Sequence, residues 1–383
     1  MEKKYKLAVL NAHPVQYQSP LFKKISENPG IDLTVYFCWD FGVREAGFDA
    51  QFGKKIKWDI PVLEGYKYKF LKNFSLKPSN DFWGQINFEI IKEIYNLKKQ
   101  NYNAVIVFGW NAFTNWLAFL TAFILGLPVL LRGESPLNQE LLKSKWKIKI
   151  KKIILRTLFK FISAFLYIGE ENKEFYQYYG VPEEKLFFVP YAVDNERYIA
   201  ASKLQKANRK VLRKELGIGE KDIVILFVGK LIEKKRPMDL LRAYGLLNMG
   251  ESDLLNIDVN VGRSDFKRLH LLFVGDGFLR PELENYVKKH NLQNVHFVGF
   301  KNQTELPQYY AMADIFVLPS GTGETWGLVV NEAMCFSLAI IVSDKIGCAK
   351  DLARNGENGY IFPLGDVEKL SEYLGNLVKD KKK

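Results

Sequence analysis

"IVILFVGKLIEKKRPMDLLRAY", residues 223–244, decides the fold. Six apolar residues without a charge read as a strand buried on both faces. Gly229 ends it, and Pro237 opens a helix with an apolar stripe. Strand, tight loop, helix is the unit of a parallel α/β sheet. The loop is unusual in its charge. Lys230 leaves the strand end, and Lys235 and Arg236 stand just ahead of the helix. Cations at a helix N-terminus oppose the macrodipole. They suggest a bound anion, and phosphate is the natural candidate. A solvated basic loop is the plainer alternative.

The same alternation extends both ways. Downstream, strands are expected at 269–277, 295–300, 314–320, 339–344 and 359–363. Upstream they are expected at 6–12, 32–39, 104–109, 128–133, 165–170 and 186–190. Between the two series, residues 191–222 are polar, helical in part and without a buried strand. The expected organisation is a first domain over 1–190, a linker over 191–222 and a second domain over 223–383. Both domains should be doubly wound, Rossmann-like sheets facing a cleft, with ligands beyond the carboxyl ends of the strands. Residues 248–268 are polar and irregular, and read as a surface excursion.

Bulk properties set the outer bounds. The 383 residues suit two or three domains at about 150 residues each. The chain is 48% hydrophobic, enough for substantial cores. Cys38, Cys335 and Cys348 form no disulfide or metal pattern, and reduced thiols in a cytoplasmic protein are the simplest reading. His13, His270, His290 and His296 have no ligand spacing either, so no metal is expected. "MEKKYKLAVLNAH" has no long apolar region, so no signal peptide is expected. The run at 116–131 is short for a bilayer and is broken by Gly126 and Pro128; it reads as a buried helix, a turn and a buried strand. The formal net charge is +12. No base-reading motif accompanies it, so no nucleic-acid partner is expected.

The stretch "PSGTGETWGLVVNEAM", residues 319–334, supplies the partner of the cationic loop. A glycine-rich loop leads into an apparent helix start at Glu324. The N–H groups of Gly327, Leu328 and Val329 lie near that start and have no helical acceptor. Eight helical residues from Glu324 to Glu332 advance about 12 Å on one side, roughly a sugar-to-ribose span. Read singly, Glu324 complements a helix dipole and Glu332 makes a buried salt bridge. Read with the lysines, Glu324 addresses a sugar and Glu332 a ribose. The loop after the first strand, "NAHPVQYQSP", has no glycine, which counts against a nicotinamide or flavin site. His13 there is either a ligand contact or a loop hydrogen bond.

These motifs together, with "VGDGFLRPELE" at 274–284, resemble the retaining glycosyltransferases of family four. The likeness is strong over 220–365 and weak over the first half. It implies the GT-B fold and a nucleotide-sugar donor, UDP- or GDP-linked. By this resemblance Lys230 and Lys235 bind the diphosphate, Glu324 meets the donor sugar and Glu332 the ribose. The base rests near Phe300 and Lys301. Attack is expected from the front face, with the leaving phosphate taking the acceptor proton, and with no cofactor and no metal. Arg132 and Glu134 stand where the family has its acceptor-side loop, with Glu134 in the place of a histidine. The family's last helix returns to the first domain, and "DVEKLSEYLGNLVKDKKK" is short for that.

One further stretch stands out. "KSKWKIKIKKIILRTLFKF", residues 143–161, holds eight basic residues and no acid. Lys145, Lys149, Lys152, Arg156 and Lys160 fall on one helical stripe. Trp146, Ile150, Ile153, Leu158 and Phe161 fall beside it. This is the pattern of a helix lying on an anionic membrane surface; a solvated face is the alternative. The expected acceptor is then a lipid-linked or membrane-proximal saccharide. The expected location is the cytoplasm, with peripheral contact at the inner face of the membrane. Two rival functions are a non-catalytic nucleotide-sugar-binding subunit and a glucan- or sucrose-synthase-like transferase with a soluble acceptor.

Overall fold

The computed structural model describes residues 4–43, 47–49, 53–248 and 268–380. The expected surface excursion at 248–268 lies almost wholly outside them. The chain divides into two compact units. One comprises Met1–Gly47 with Ile56–Tyr191, the other Phe48–Lys55 with Ala192–Lys383.

The first unit is built on seven parallel strands. They are β1 (Tyr5–Asn11), β2 (Ile31–Phe37), β5 (Lys67–Phe70), β6 (Ala104–Phe108), β7 (Val129–Arg132), β8 (Ala164–Tyr167) and β9 (Leu186–Phe188). Their order is β5-β2-β1-β6-β7-β8-β9. β3 (Gly47–Asp49) and β4 (Lys54–Ile56) form a separate two-stranded ribbon. β5 escaped the sequence reading. "KYKF" alternates charge with aromatic, as befits an edge strand, and lacks the apolar run used as the signal. The apolar stretch at 116–131 becomes helix Phe113–Ile124 and then β7, as expected. That helix is not fully buried, however. Leu120, Phe123 and Ile124 reach the surface.

The second unit has six parallel strands. These are β10 (Ile223–Val228), β11 (Leu269–Val274), β12 (Val295–Gly299), β13 (Ile315–Leu318), β14 (Ala339–Ser343) and β15 (Gly359–Phe362). Their order is β12-β11-β10-β13-β14-β15. Every strand expected in this half is present. Both sheets reverse direction of growth once, between β1 and β6 and between β10 and β13. A crevice opens at such a switch point.

The stretch expected as a linker is mostly one helix, Asn195–Glu215, in the second unit. Its polar residues are anchors. Arg213 is buried, with Nη2 donating to Asp314 Oδ2 at 2.7 Å and to the Met312 carbonyl at 2.7 Å. Arg209 pairs with the other oxygen of Asp314. Charge in the sequence suggested solvent; here it is spent on one buried carboxylate. The last helix, Val367–Asp380, packs within the second unit, where Ser371 Oγ donates to the Ala243 carbonyl.

Candidate active site

Two loops meet at the switch point of the second sheet. One follows β10 and carries Lys230 and the 3₁₀ turn Glu233–Lys235. The other follows β13 and runs from Pro319 to Gly327. The Gly321 N–H donates to the Lys234 carbonyl at 2.7 Å and joins them. Glycines make the close approaches possible. A Cβ on Gly275 would stand 1.8 Å from the Gly229 carbonyl oxygen, and one on Gly277 would stand 2.4 Å from that of Leu231. A Cβ on Gly347 would stand 1.8 Å from the Thr325 carbonyl oxygen. "GDG" at 275–277 is thus a packing device for the loop after β10.

The charged side chains gather on this frame. Lys235 Nζ is ion-paired with Glu324 Oε2, and both are largely enclosed. Lys234, which the sequence reading passed over, lies against Gly323: a Cβ there would meet its Cε at 3.3 Å. Burial holds the Lys234 ammonium below the ordinary lysine range. Glu324 opposes this, while Lys235 and Lys230 add to it. Three cations therefore act on one another around a single carboxylate, a setting that favours an added anion. The 3₁₀ turn is what brings Lys234 inward, and no spacing rule for helices would find it. Arg236, counted among the cations in the sequence, pairs instead with Asp239.

The helix assumed to begin at Glu324 begins at Leu328. Gly327 precedes it with φ 98°. Glu324 belongs to the loop, because the carbonyls of Glu324 and Trp326 accept from the N–H groups of Gly347 and Cys348, at 3.3 and 3.2 Å. The two glutamates are therefore not eight helical residues apart. The first N–H groups of the helix, with those of Gly327 and Val329, have no partner in the helix itself.

Glu332 is 5% exposed. Its Oε2 accepts from the Tyr310 hydroxyl at 2.6 Å. Burial raises its carboxyl above the usual range, against hydrogen bonds from Tyr310 and Tyr198. Phe300 and Lys301 follow β12, the outer strand on the same carboxyl edge. The Gly275 N–H donates to the Gly299 carbonyl at 2.9 Å and ties that loop to the rest. Lys301 Nζ donates to Glu305 at 3.2 Å.

The acceptor-side candidates lie in the first unit. His13 follows β1, with the rings of Trp39 and Phe41 each centred 5.6 Å away. Burial lowers its pKa to about 4. Arg132, at the end of β7, is 3% exposed. It donates to the Val189 carbonyl at 2.8 Å and stacks under Tyr191, 5.0 Å from the ring centre. The Tyr191 hydroxyl donates to Glu134. Arg132 and Glu134 are thus brought together through one tyrosine.

The basic stretch forms helix Lys145–Phe159. Lys145, Lys149 and Arg156 are exposed, with Arg156 beside Gly180, whereas Lys152 lies over the Tyr178 ring at 4.5 Å. Leu158, expected on the surface stripe, is buried in the core. Trp146, Ile150 and Ile153 are 61%, 51% and 71% exposed, and Ile154 adds to them at 44%. Lys151 fastens the underside, donating to Glu140 Oε2 at 2.7 Å. Among the described residues no helix is long and apolar enough to cross a membrane.

Residues 208–383 match the family described as glycosyl transferases group 1. The chain is 33% identical over 172 residues to spore coat protein SA of Bacillus subtilis, covering 43% of this chain and 41% of that one. It is 23% identical over 301 residues to the N,N'-diacetylbacillosaminyl-diphospho-undecaprenol alpha-1,3-N-acetylgalactosaminyltransferase of Campylobacter jejuni, covering 77% and 74%. The first relatives are matched over less than half their own length. Among solved structures, Anabaena HepE in complex with UDP and glucose superposes with a TM-score of 0.66 at 17% identity, over 99% of this chain and 91% of that one. The chain thus has the GT-B fold of its solved neighbours, and its second half, residues 208–383, matches the group 1 glycosyl transferases.

Proposed function

We propose that this chain is a retaining glycosyltransferase. It moves a sugar from a nucleoside-diphosphate sugar, UDP- or GDP-linked, to a hydroxyl of a lipid-linked or membrane-proximal saccharide. One observation carries the reading: Lys230, Lys234 and Lys235 converge with Glu324 at the switch point of the second sheet. The bond between the anomeric carbon and the diphosphate oxygen breaks, and a bond to the acceptor oxygen forms on the same face. The acceptor proton passes to the leaving diphosphate. Lys230, Lys235 and the N–H groups of Gly327, Leu328 and Val329 stabilise the charge that develops there. Lys234 adds to the same field. These cations supply what a divalent ion supplies elsewhere, and transfer proceeds without one.

Glu324 addresses the donor sugar. It is ion-paired with Lys235, and the incoming diphosphate takes that lysine over. Glu332 keeps Tyr310 and offers its remaining acceptor capacity to the ribose hydroxyls, with the base near Phe300 and Lys301. His13 and Glu134 belong to the acceptor side, and Arg132 braces it from within. The acceptor class is supported by the name of the Campylobacter relative, which specifies a diphospho-undecaprenol carrier. Lys145, Lys149, Lys152 and Arg156 meet the anionic surface on which such an acceptor lies.

A thermal-shift panel of UDP, GDP and ADP, followed by donor-sugar hydrolysis with and without EDTA, tests this. A rise in Tm with one nucleotide and EDTA-resistant turnover are expected. No shift with any nucleotide overturns the reading. Loss of turnover in EDTA, restored by magnesium, overturns the metal-free step.

A further inference from the structure

The first unit contains a cavity of about 610 Å³ that the transfer reading does not use. Trp110, Trp116 and Phe82 line it, together with Trp146, Ile150 and Ile154 of the basic helix. The interior polar groups are already occupied. Trp116 Nε1 donates to the Trp110 carbonyl at 2.8 Å. Lys151 is held by Glu140, with its ammonium 4.8 Å from the Trp110 ring centre. Asn111, on the polar rim, donates to the Asn80 carbonyl at 3.0 Å. What remains on offer is mostly aromatic and aliphatic surface, with Asp81 and Lys147 also in the lining.

The apolar surface continues outward. Trp146, Ile150 and Ile154 are all substantially exposed, and Ile153 beside them is 71% exposed. Leu120, Phe123 and Ile124 extend it on the neighbouring helix, and the Phe123 ring lies 4.5 Å from that of Phe161. Exposed apolar patches of this kind mark interaction sites. The charge around it selects the partner. Lys143, Lys145, Lys147 and Lys149 are exposed on the same segment, which contains no acid between Glu140 and Glu170. A mostly apolar slot lined by Trp146 and the exposed Lys147 matches a hydrocarbon chain ending in a phosphate.

We propose that this cavity takes one hydrocarbon chain of a phosphate-headed lipid, with the headgroup against Lys147, the exposed lysine of its lining. The helix is then a lid on a lipid site as well as a charged surface. This differs from adhesion alone, which needs no cavity and carries no dependence on chain length. It also stands independently of sugar transfer.

The test uses the full chain and n-alkyl phosphates of four to ten carbons, below their micellar concentrations, by calorimetry. Affinity should rise about fourfold per methylene, the equivalent of about 0.8 kcal/mol, until the cavity is full. Ile154→Glu should flatten that dependence. Because Ile154 is exposed, the variant should melt like wild type. Lys147→Gln should weaken every homologue by a similar factor and leave the slope intact. Vesicles of anionic lipid brominated deep in the acyl chain should quench the tryptophan emission of wild type more than that of Ile154→Glu. A flat chain-length series overturns the proposal, as does a slope unchanged in Ile154→Glu. Displacement of the alkyl phosphate by a soluble oligosaccharide also overturns it, and assigns the cavity to the saccharide.

Discussion

The two units have the same strand order around their switch points but build their carboxyl edges from different materials. In the second unit the edge is shaped by backbone. Gly275, Gly277, Gly327 and Gly347 let loops approach where a side chain would crowd its neighbours, and the charges are set on that frame. In the first unit the loop after β1 has no glycine, and aromatic rings fill the space. His13 is wrapped by Trp39 and Phe41, and Arg132 lies under Tyr191. A backbone-built site holds its charges in place for an anion. A ring-lined site shields its polar groups and leaves apolar surface to offer, and it leaves His13 Nδ1 and Arg132 Nε buried without a hydrogen-bond partner.

The largest effect should come from the charged frame. Lys235→Ala should lower kcat by on the order of 10²–10³-fold, the scale for losing one preorganised donor to a developing charge. Steady-state transfer from the preferred donor measures it. A variant with full turnover would place the anion site elsewhere.

Next is the frame itself. Gly275→Ala should destabilise the fold by about 1–3 kcal/mol, the usual cost of forcing a methyl into a packed site. Urea unfolding gives that number. Hydrogen exchange should further assign the loss to the loops after β10, β11 and β12. Uniform loss across the sheet of the first unit would contradict the separate roles of the two edges.

A smaller effect tests the buried carboxylate. Tyr310→Phe removes a donor from Glu332 and should cost about 1–2 kcal/mol. The Glu332 carboxyl should rise further, since the lost hydrogen bond favours its charged form. Carbon-detected NMR of the side chain reads both.

The smallest effect belongs to the first unit. His13 should stay neutral down to about pH 4. The unfolded chain takes up this proton near pH 6.5, so the unfolded state binds more protons between those values. Stability should therefore fall as pH drops through that window and be unaffected by His13 above it. Ring nitrogen shifts follow the titration, and His13→Phe should remove this part of the slope. A midpoint near 6.5 would mean the ring is open to water.

The same contrast explains what the sequence revealed. Strands such as 223–228 and 269–274 are uninterrupted apolar runs, and both faces of their sheet are covered. They were legible without a partner. Lys230, Lys235 and Glu324 were legible because glycine and proline mark their loops. Lys234 was not, since a single 3₁₀ turn redirects it. The helix start was misplaced by four residues, because long-range bonds from Gly347 and Cys348 hold Glu324 in the loop. Polar residues 195–215 resembled a linker, because Asp314 lies a hundred positions away in the chain. The cavity under the basic helix joins residues 80–82, 110–116 and 146–155, and no local pattern announces such a meeting.

The central claim is that Lys235 holds the diphosphate while Glu324 serves the sugar. Calorimetry of UDP with Lys235→Ala and Glu324→Ala separates the two roles most directly. Lys235→Ala should weaken UDP by about 10- to 100-fold, in line with loss of a charge-assisted hydrogen bond. Glu324→Ala should bind UDP as well as wild type or more tightly, because it releases Lys235 from its ion pair, while turnover falls. The opposite pattern, UDP affinity lost with Glu324→Ala and kept with Lys235→Ala, would contradict the account.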